Sequence, residues 1–600
     1  MKISFKLNFA SSGLYQRSAR HFISNSILHL LICFFIANNI FGQQLTNEKN
    51  KDYVINDSVL IPTRDGASVS LIIVRNKEVR EPQPVVLMFS IYARPVNPNR
   101  IIERVFADKG FVGVIANTRG VRFSLQEVRP FEYDANDAYD VIDWISKQPW
   151  CNGKIGMFGA SYEGFAQWAA VKTIHPALKT IIPGVAVGIG VDYPMTNGVF
   201  MSYALRWIHH ISNSKMIDVI EFMNTKRWDS VYLVWYKSGR SFKALDSIDG
   251  RPNAIFQRWL QHPSYDSFWS DMTVHKNDFS HVDIPVLTIT GYFDVNQIGA
   301  LYYYHEHFKH NKNPNHYLLI GPYPHAVAGG EREVRDTMGG YVIDPVAHIS
   351  VREIILQWFN YVLKDSSRPA FLKDKINYQI MGTNEWRHVS SMKQINNDTL
   401  TFYLSNIRSE NDYKLSEKPI KNSNEYITQQ VDFLDRDEPG NDNEGRVSTN
   451  LNRLKYVSFI SETIKDPLSV NGRFFSDLHL IINKKDLDMD MKLYELMPDG
   501  RYFLLSSYIG RASYVKDPAR RQLLTPGMKE IIPIRQTFFT SKQLRKGSRL
   551  VVSLGVVKTK EYQVNYGSGK DVSTETIEDG RTPLVIKWLL DSWIKVPVYR

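Results

Sequence analysis

Cysteine is almost absent from this chain of 600 residues, which has only Cys33 and Cys151. Cys33 falls in an N-terminal segment with the features of an export signal, so the mature protein would keep one thiol and could form no internal disulfide. A lone cysteine in a globular chain is more often a small buried residue than a nucleophile. The sequence therefore excludes a fold stapled by disulfides and favours one held together by a large core.

The chain also lacks a long basic run with interleaved aromatic residues. Its net charge is +11, but residues 1–42 contribute four basic residues and no acid, which leaves +7 for the remainder. Binding to nucleic acid is therefore a poor interpretation. A hydrophobic content of 43% is ample for globular burial, and 600 residues are too many for one core, so two or three domains are expected.

No apolar run is long enough to span a bilayer. The longest, Ile27 to Phe41, has about 15 residues, whereas roughly 20 are needed. It follows a basic stretch, and Ile40 and Gly42 suit the −3 and −1 positions of a signal-peptidase site. We predict that residues 1–42 are a signal peptide and that the protein is periplasmic or extracellular, with no stable membrane span after cleavage. An uncleaved anchor is the alternative.

From residue 53 onward, short apolar runs alternate with stretches of helical periodicity. Helices are predicted at 98–109, 134–147, 162–173, 297–310 and 345–363. Strands separated by helices indicate a mainly parallel sheet that is covered on both faces. The predicted strands are Val59–Pro62, Ser68–Val74, Pro84–Ser90, Phe111–Asn117, Lys154–Phe158, Leu178–Ile182, Val286–Thr290 and His316–Ile320.

Two regions depart from this alternation. Residues 190–280 are rich in aromatic residues and helix formers and resemble a helical insertion. Beyond residue 370, from Ile376–Ile380 onward, short strands are separated by Gly, Pro and Asp-rich turns, which is typical of a β-sandwich or jelly roll. The predicted organisation is an α/β domain over residues 50–365, with the helical insertion inside it, followed by an all-β domain over residues 370–600.

The segment Gly159-Ala-Ser161-Tyr-Glu-Gly164 lies between a predicted strand and a predicted helix. A tight strand–serine–helix turn lifts a hydroxyl clear of the sheet edge, and small residues are needed where the elements crowd together. The general pattern is Gly-x-Ser-x-Gly, and here the second glycine falls one residue late. An ordinary Gly/Ser turn is the alternative interpretation of this segment by itself.

Partners for Ser161 occur in the order that this chemistry requires. A serine nucleophile needs a histidine base that is oriented by a carboxylate. The next apolar strand ends at Asp294, and the strand after it ends at His325. Both residues would lie beyond the carboxyl ends of parallel strands, where such sheets bind their ligands. We predict a triad of Ser161, His325 and Asp294 that needs no metal or other cofactor.

Other acidic and histidine clusters are weaker candidates. His305, His307 and His310 lie on a predicted helix with i, i+2 spacing, so they face different sides, and a metal site there is a minor alternative. Asp486, Asp488 and Asp490 alternate with Leu and Met. This pattern indicates a solvated strand face or turn, with calcium binding as the alternative.

These motifs together resemble those of the X-Pro dipeptidyl-peptidase, cocaine esterase and α-amino-acid ester hydrolase family of α/β serine hydrolases. The family's Gly-x-Ser-Tyr-x-Gly is similar to Gly159–Gly164, its Gly-Trp/Tyr-x-Asp to Gly291–Asp294, and its Gly-Pro-Trp-x-His to Gly321–His325. The resemblance implies an α/β-hydrolase fold with a helical cap and a C-terminal jelly roll. It also implies two oxyanion donors, which are the phenol of Tyr92 and the backbone N–H of Tyr162.

Members of this family that act on α-amino-acid esters hold the substrate ammonium with carboxylates two and three residues after the triad aspartate. Those positions are Asn296 and Gln297 here, and Asp192 resembles a third acidic position. A buried ammonium without an opposing charge is costly, so the departure weakens the case for substrates with a free α-amino group. The three residues remain candidate substrate-binding positions.

The predicted function is hydrolysis of an ester or amide acyl bond in a small molecule or a short peptide through an acyl-enzyme. Release of X-Pro dipeptides is the alternative within the same chemistry. An inactive module that binds a glycan or a partner is the alternative from a different class. Oligomerisation stays open.

Overall fold

The computed structural model describes residues 53–95, 103–419, 424–437 and 445–600. The predicted signal peptide, residues 1–42, lies outside these ranges, as do the first residues of the helix predicted from residue 98. Among the helices of the described ranges, none combines the length and the apolar character that a membrane crossing requires.

Strands of the first part lie between residues 53 and 389, and each strand predicted there is present. They are β1 (Tyr53–Pro62), β2 (Ser68–Asn76), β3 (Gln83–Ser90), β4 (Val112–Asn117), β5 (Cys151–Ala160), β6 (Leu178–Gly184), β7 (Met195–Thr196), β8 (Val199–Phe200), β9 (Val286–Phe293), β10 (His316–Pro324), β11 (Thr337–Met338), β12 (Tyr341–Val342), β13 (Ile376–Ile380) and β14 (Glu385–Val389).

Ten of these strands form one sheet in the order β1-β2-β4-β3-β5-β6-β9-β10-β13-β14. The pairs from β4 through β13 are parallel, and the pairs at both edges are antiparallel. The sheet separates two cores: Leu87 of β3 packs in one with Phe165, and its neighbour Val86 packs in the other with Phe359. A sheet buried on both faces explains why these strands are continuous apolar runs.

The helices of this part are α1 (Glu103–Asp108), α2 (Asp134–Ser146), α3 (Tyr162–Ala170), α4 (Tyr203–Ser212), α5 (Val219–Met223), α6 (Thr225–Ser238), α7 (Leu245–Ile248), α8 (Ala254–Trp259), α9 (Ser267–Ser270), α10 (Gln297–His310), α11 (His325–Ala328) and α12 (Val351–Leu363). The helical insertion lies between β6 and β9 and contains α4 to α9. Helix α12 begins at Val351 and not at the predicted Pro345, because the Ser350 hydroxyl accepts from the Glu353 N–H and caps the helix there.

The second part is a 14-stranded, almost wholly antiparallel arrangement, which confirms the predicted β-rich class. Its strands are β15 (Asp398–Ser409), β16 (Asp412–Ser416), β17 (Tyr426–Val431), β18 (Val447–Ser448), β19 (Val457–Ile460), β20 (Leu468–Gly472), β21 (Phe475–Ile482), β22 (Asp488–Leu496), β23 (Tyr502–Arg511), β24 (Lys529–Ile534), β25 (Thr540–Leu544), β26 (Arg549–Val556), β27 (Leu584–Leu589) and β28 (Trp593–Tyr599).

Strand β13 belongs to a different sheet from the one that its position in the chain suggested. Its position after residue 370 predicts that Ile376–Ile380 begins the all-β part, but β13 pairs in parallel with β10, and β14 closes the first sheet. The two sheets meet just beyond β13, where the Met381 N–H donates to the Ser541 carbonyl at 3.0 Å. An apolar run shows that a strand is buried, but it does not show which neighbour the strand pairs with.

The aspartates before and at the start of β22 are buried rather than solvated, contrary to expectation. Asp488 is fully buried and forms a bidentate ion pair with Arg511. Arg511 Nε donates to Oδ1 at 2.8 Å and Nη2 donates to Oδ2 at 2.9 Å. Asp486 is also fully buried and accepts from Arg521 at 2.8 Å. The alternation predicted a strand, but it did not show that Arg511 lies opposite Asp488 in the β22–β23 pair or that Arg521 reaches Asp486. These arginines stabilise the buried carboxylates.

Candidate active site

The turn between β5 and α3 carries Ser161 in a strained backbone conformation. Ser161 has φ = +64° and ψ = −118°, in a region that side chains disfavour. Its N–H donates to the Gly184 carbonyl at 3.1 Å, and its carbonyl accepts from the Val187 N–H at 3.2 Å. These bonds hold the turn against the end of β6, and the turn presents the hydroxyl beyond the carboxyl end of the sheet.

Gly164 accounts for the late second glycine of the motif. A Cβ atom at this position would lie 2.7 Å from the Gly184 carbonyl oxygen and 2.8 Å from the Ala186 Cα. The first turn of α3 therefore packs directly on the backbone that follows β6. Only glycine permits this approach, because the atoms it meets are main chain and cannot rotate away.

Asp294 and His325 follow β9 and β10, which are neighbouring parallel strands. His325 Nδ1 lies 2.8 Å from Asp294 Oδ1. Asp294 is 1% exposed, its Oδ2 accepts from the Thr290 hydroxyl at 2.7 Å, and its Oδ1 also accepts from the Asn296 N–H at 3.0 Å. A carboxylate held in this way favours the tautomer with the proton on Nδ1, which leaves Nε2 to accept a proton.

Two opposing effects set the pKa of His325. Burial lowers it, but the hydrogen bond to Asp294 and the charge of that carboxylate raise it more, and the net pKa lies above the ordinary histidine value. The charges of Glu331 and Asp192 act in the same upward direction. A histidine of raised pKa is a stronger base once it is deprotonated.

Helix α11, which starts at His325, packs against the turn that carries Ser161. A Cβ atom on Gly329 would lie only 2.7 Å from the Cβ of Ala160, the residue before Ser161. The helix and the turn therefore meet in van der Waals contact. This packing brings the three predicted triad residues to one edge of the sheet.

Tyr92 places its phenol within hydrogen-bond reach of the Ser161 side chain. The indole N–H of Trp207 donates to the phenol oxygen at 3.2 Å. Burial raises the pKa of Tyr92 far above its usual value, so the phenol keeps its proton. Because an indole can only donate, Trp207 occupies a lone pair of the phenol oxygen and not its proton.

Tyr162 is the first residue of α3, and the first N–H groups of a helix have no acceptor within the helix. The Tyr162 side chain points away into the core, where its hydroxyl donates to Asp134 at 2.7 Å. Burial raises the pKa of Asp134 to about 7. At this position the backbone N–H, and not the phenol, is the group available to the cleft.

Asp192 and Asn296 lie next to Asp294, but their side chains are hydrogen-bonded within the protein. Asp192 is 3% exposed, and its two oxygens accept from the N–H groups of Gly188 at 2.9 Å and Gly299 at 2.7 Å. The Asn296 side chain is a further hydrogen-bond partner of Asp192. Burial raises the pKa of Asp192 to about 7. These contacts tie the loop after β6 to the start of α10.

Gln297 lies between the two parts of the protein, away from the cleft. Its amide nitrogen donates to the carbonyls of Gly291 at 3.0 Å and Phe539 at 2.9 Å, and its oxygen accepts from the Phe539 N–H at 2.6 Å. The side chain is fully buried. With its polar atoms used in this way, Gln297 has no group to offer a substrate.

Trp207 is a site residue that the sequence reasoning missed. It lies on α4 of the helical insertion and stacks on Phe131, with ring centroids 5.6 Å apart and planes inclined by 24°, and on Tyr162 at 6.1 Å and 27°. The aromatic richness of residues 190–280 was the only sequence signal. It could not show which aromatic ring turns toward Tyr92.

Two family models match the chain. The model of the X-Pro dipeptidyl-peptidase (S15 family) matches residues 65–327, and that of the X-Pro dipeptidyl-peptidase C-terminal non-catalytic domain matches residues 372–577. The first includes all three predicted triad residues and both predicted oxyanion donors. The boundary between the models falls close to β13, where the two sheets meet.

A curated relative and two solved structures resemble nearly the whole chain. A cocaine esterase of Rhodococcus sp. (strain MB1 Bresler) is 23% identical over 560 residues, covering 88% of this chain and 95% of the esterase. An aminopeptidase from a Thaumarchaeota archaeon has a TM-score of 0.77 at 20% identity and covers 92% of this chain and 98% of its own. An α-amino acid ester hydrolase has a TM-score of 0.74 at 19% identity and covers 91% and 97%. At these identities the structures show the α/β-hydrolase fold alone.

Proposed function

Because the chain belongs to the X-Pro dipeptidyl-peptidase (S15) family of serine hydrolases, we propose that Ser161, His325 and Asp294 form its catalytic triad. The observation that carries the proposal is the 2.8 Å contact between His325 Nδ1 and the buried Asp294 carboxylate. His325 begins a helix whose C-terminal end packs against the turn of Ser161. A serine in a strained strand–turn–helix, a base and an orienting carboxylate together make an acyl-transfer site.

In the proposed reaction Ser161 Oγ attacks an ester or amide carbonyl carbon while His325 Nε2 takes the serine proton. The tetrahedral intermediate collapses, His325 gives the proton to the leaving alcohol or amine, and the acyl group stays on Ser161. Water then attacks the acyl-enzyme with His325 again as the base, which releases the acid and restores the serine. Asp294 orients the imidazole and stabilises its cationic form throughout.

Tyr92 and the Tyr162 N–H are the proposed donors to the oxyanion. The phenol already lies within hydrogen-bond reach of Ser161, and the N–H begins the helix that follows it. Both groups are oriented before substrate binds, so they can stabilise the developing negative charge without reorganisation. Removing one such donor typically costs about 10²–10³ in kcat.

The substrate class that fits this cleft best is an ester or amide of a small acyl group. Three positions that would bind an α-ammonium offer no unused carboxylate: Asn296 is uncharged, Gln297 is buried away from the cleft, and Asp192 is bound to backbone N–H groups. The chain resembles a cocaine esterase along nearly its whole length, and this similarity supports ester cleavage.

Exopeptidase activity on X-Pro peptides is the second candidate. It needs an acidic group for the peptide ammonium, and Glu331 is a half-buried carboxylate close enough to His325 to raise its pKa. A panel of p-nitrophenyl esters beside an X-Pro anilide separates the two activities. Anilide turnover that exceeds turnover of every ester would overturn the preference for esters.

A fluorophosphonate probe tests the nucleophile directly. We expect the wild-type protein to be labelled at Ser161 and Ser161→Ala to lose both labelling and turnover, with the thermal unfolding temperature unchanged. Labelling of Ser161→Ala equal to that of the wild type would remove Ser161 from this role. A wild-type protein that is neither labelled nor active would favour the inactive binding module.

We also propose that the protein is exported. The support is the basic stretch and the apolar run of residues 1–42, with Ile40 and Gly42 at the −3 and −1 positions of a signal-peptidase site. Expression of the full chain with cell fractionation and N-terminal sequencing tests this. A mature N-terminus at Gln43 in the exported fraction is expected, and recovery of the uncleaved chain in the cytoplasm would contradict it.

A further inference from the structure

Glu163 lies between the nucleophile turn and the strand end that leads to Tyr92. Its side chain folds back over Gly159, where a Cβ atom would lie 2.5 Å from the Glu163 Cβ. The carboxylate then reaches two donors: the Ser90 hydroxyl donates to Oε1 at 2.6 Å, and the Ala160 N–H donates to Oε2 at 3.3 Å. The first glycine of the serine motif therefore makes room for this carboxylate.

Ser90 also forms a hydrogen bond with the backbone of Tyr92. The Tyr92 N–H donates to Ser90 Oγ at 3.1 Å. A hydroxyl has one proton and two acceptor sites, so Ser90 can accept from Tyr92 and donate to Glu163 at the same time. One carboxylate thus connects the backbone of Tyr92, through a single hydroxyl, to the residue that precedes Ser161.

We propose that Glu163 is a positioning residue that fixes the Tyr92 phenol relative to the Ser161 hydroxyl. Trp207 holds the phenol oxygen from the helical insertion, and the Ser90–Glu163 link holds the tyrosine backbone from the sheet. The proposal rests on the proposed function, because it assigns Glu163 an effect on the oxyanion donor. A displacement of about 1 Å at such a donor is enough to slow an enzyme severely.

Several charged groups surround Glu163. Burial raises its pKa to about 7, the charge of Glu331 also raises it, and the bonds from Ser90 and Ala160 and the charge of Arg94 lower it. Kinetic comparisons are therefore made on the alkaline side of this value, where the carboxylate is ionised in the wild type. Under that condition Glu163 accepts both hydrogen bonds.

The test compares Glu163→Gln in the wild-type and Tyr92→Phe backgrounds. The carboxylate uses a different oxygen for each donor, Oε1 for Ser90 and Oε2 for Ala160. An amide has an NH₂ group in place of one of these oxygens, so in this geometry it can accept only one of the two bonds. We expect kcat for a p-nitrophenyl ester to fall about tenfold and KM to stay within about twofold. In Tyr92→Phe the phenol is already absent, so the same substitution should lower kcat by less than about twofold. An equal loss in both backgrounds would show a general structural role and overturn the proposal.

Controls separate folding and nucleophile effects from positioning. Glu78→Gln changes an exposed glutamate and should leave kcat unchanged. Should Glu163→Gln fail to fold, Ser90→Ala breaks the same link and keeps the Ala160 bond, and the same non-additivity with Tyr92→Phe is expected. Fluorophosphonate labelling of Ser161 reports on the proposed function independently. If Ser161 is labelled but the kcat losses of the two substitutions are additive, the inference about Glu163 is wrong and the triad stands. If the wild-type protein is not labelled, the triad itself is wrong.

Discussion

His325 Nδ1 lies 2.8 Å from Asp294 Oδ1 although 31 positions separate the two residues in the chain. They meet because β9 and β10 are adjacent and parallel, with Gly291 opposite Gly321 in the register. Residues that follow two such strands come out at the same edge of the sheet. The contact is therefore built by the sheet and not by a local loop.

Replacing Asp294 with asparagine should separate orientation of the imidazole from folding. The amide keeps the size of the side chain but can favour the wrong tautomer of His325, so we expect kcat to fall by about 10⁴. Steady-state kinetics beside thermal unfolding measure this. A loss of less than about tenfold would show that His325 does not depend on Asp294 for its tautomer or its orientation.

The pH dependence of kcat/KM should reflect the raised pKa of His325. A protonated imidazole cannot accept the serine proton, so activity falls as the pH drops through this pKa. The effect of Asp294 on the pKa of His325 outweighs the opposing effect of burial. The midpoint of the acid limb should therefore lie above the ordinary histidine value of about 6.5. An acid limb well below that value would contradict the balance of effects described for His325.

Glu331→Gln should move the same acid limb to lower pH. The Glu331 charge raises the pKa of His325, and its removal withdraws that stabilisation of the cation. Glu333→Gln, which changes an exposed glutamate two positions later, is the matched control and should leave the limb in place. A limb that stays fixed or rises in Glu331→Gln would exclude this coupling.

Tyr92→Phe removes the proposed phenol donor and should lower kcat by about 10²–10³ with little change in KM. Trp207→Phe keeps an aromatic ring but removes the N–H that orients the phenol, so a smaller loss of about tenfold is expected. Tyr265→Phe, a tyrosine of the helical insertion that hydrogen-bonds Tyr302, is a control for aromatic hydroxyl loss. Wild-type kcat in Tyr92→Phe would refute the oxyanion assignment.

The second part of the protein should depend on its buried ion pair. Arg511→Met leaves Asp488 buried without its partner, and we expect a loss of about 3–5 kcal/mol in the free energy of unfolding. Arg501→Met breaks an exposed pair with Asp499 and should leave the free energy of unfolding almost unchanged, because solvent screens this pair. Chemical denaturation of both variants measures the difference. Equal losses would show that the Asp488 pair has no special weight.

Particular residues show how far sequence reasoning reached. Ser161, Asp294 and His325 are predicted as a triad because each follows an apolar strand, and the end of a strand in a parallel sheet has a known place. The contacts of Asp192 and Gln297 could not be read in this way. Their partners are backbone groups from distant loops, and only the packed structure shows that Gln297 turns to Phe539 and not to the cleft.

The sequence by itself determined the class of fold, the order in which the proposed triad residues follow their strands, and the β-rich character of the second part, because these follow from periodicities and turns that are local in the chain. Tertiary structure alone decided that β13 joins the first sheet, that Asp488 is buried against Arg511, that Trp207 reaches Tyr92 and that Glu163 joins Ser90 to the turn of Ser161. Each of these depends on contacts between residues distant in sequence. Such contacts are selected by packing and by the need to satisfy buried polar groups, and no local pattern encodes them.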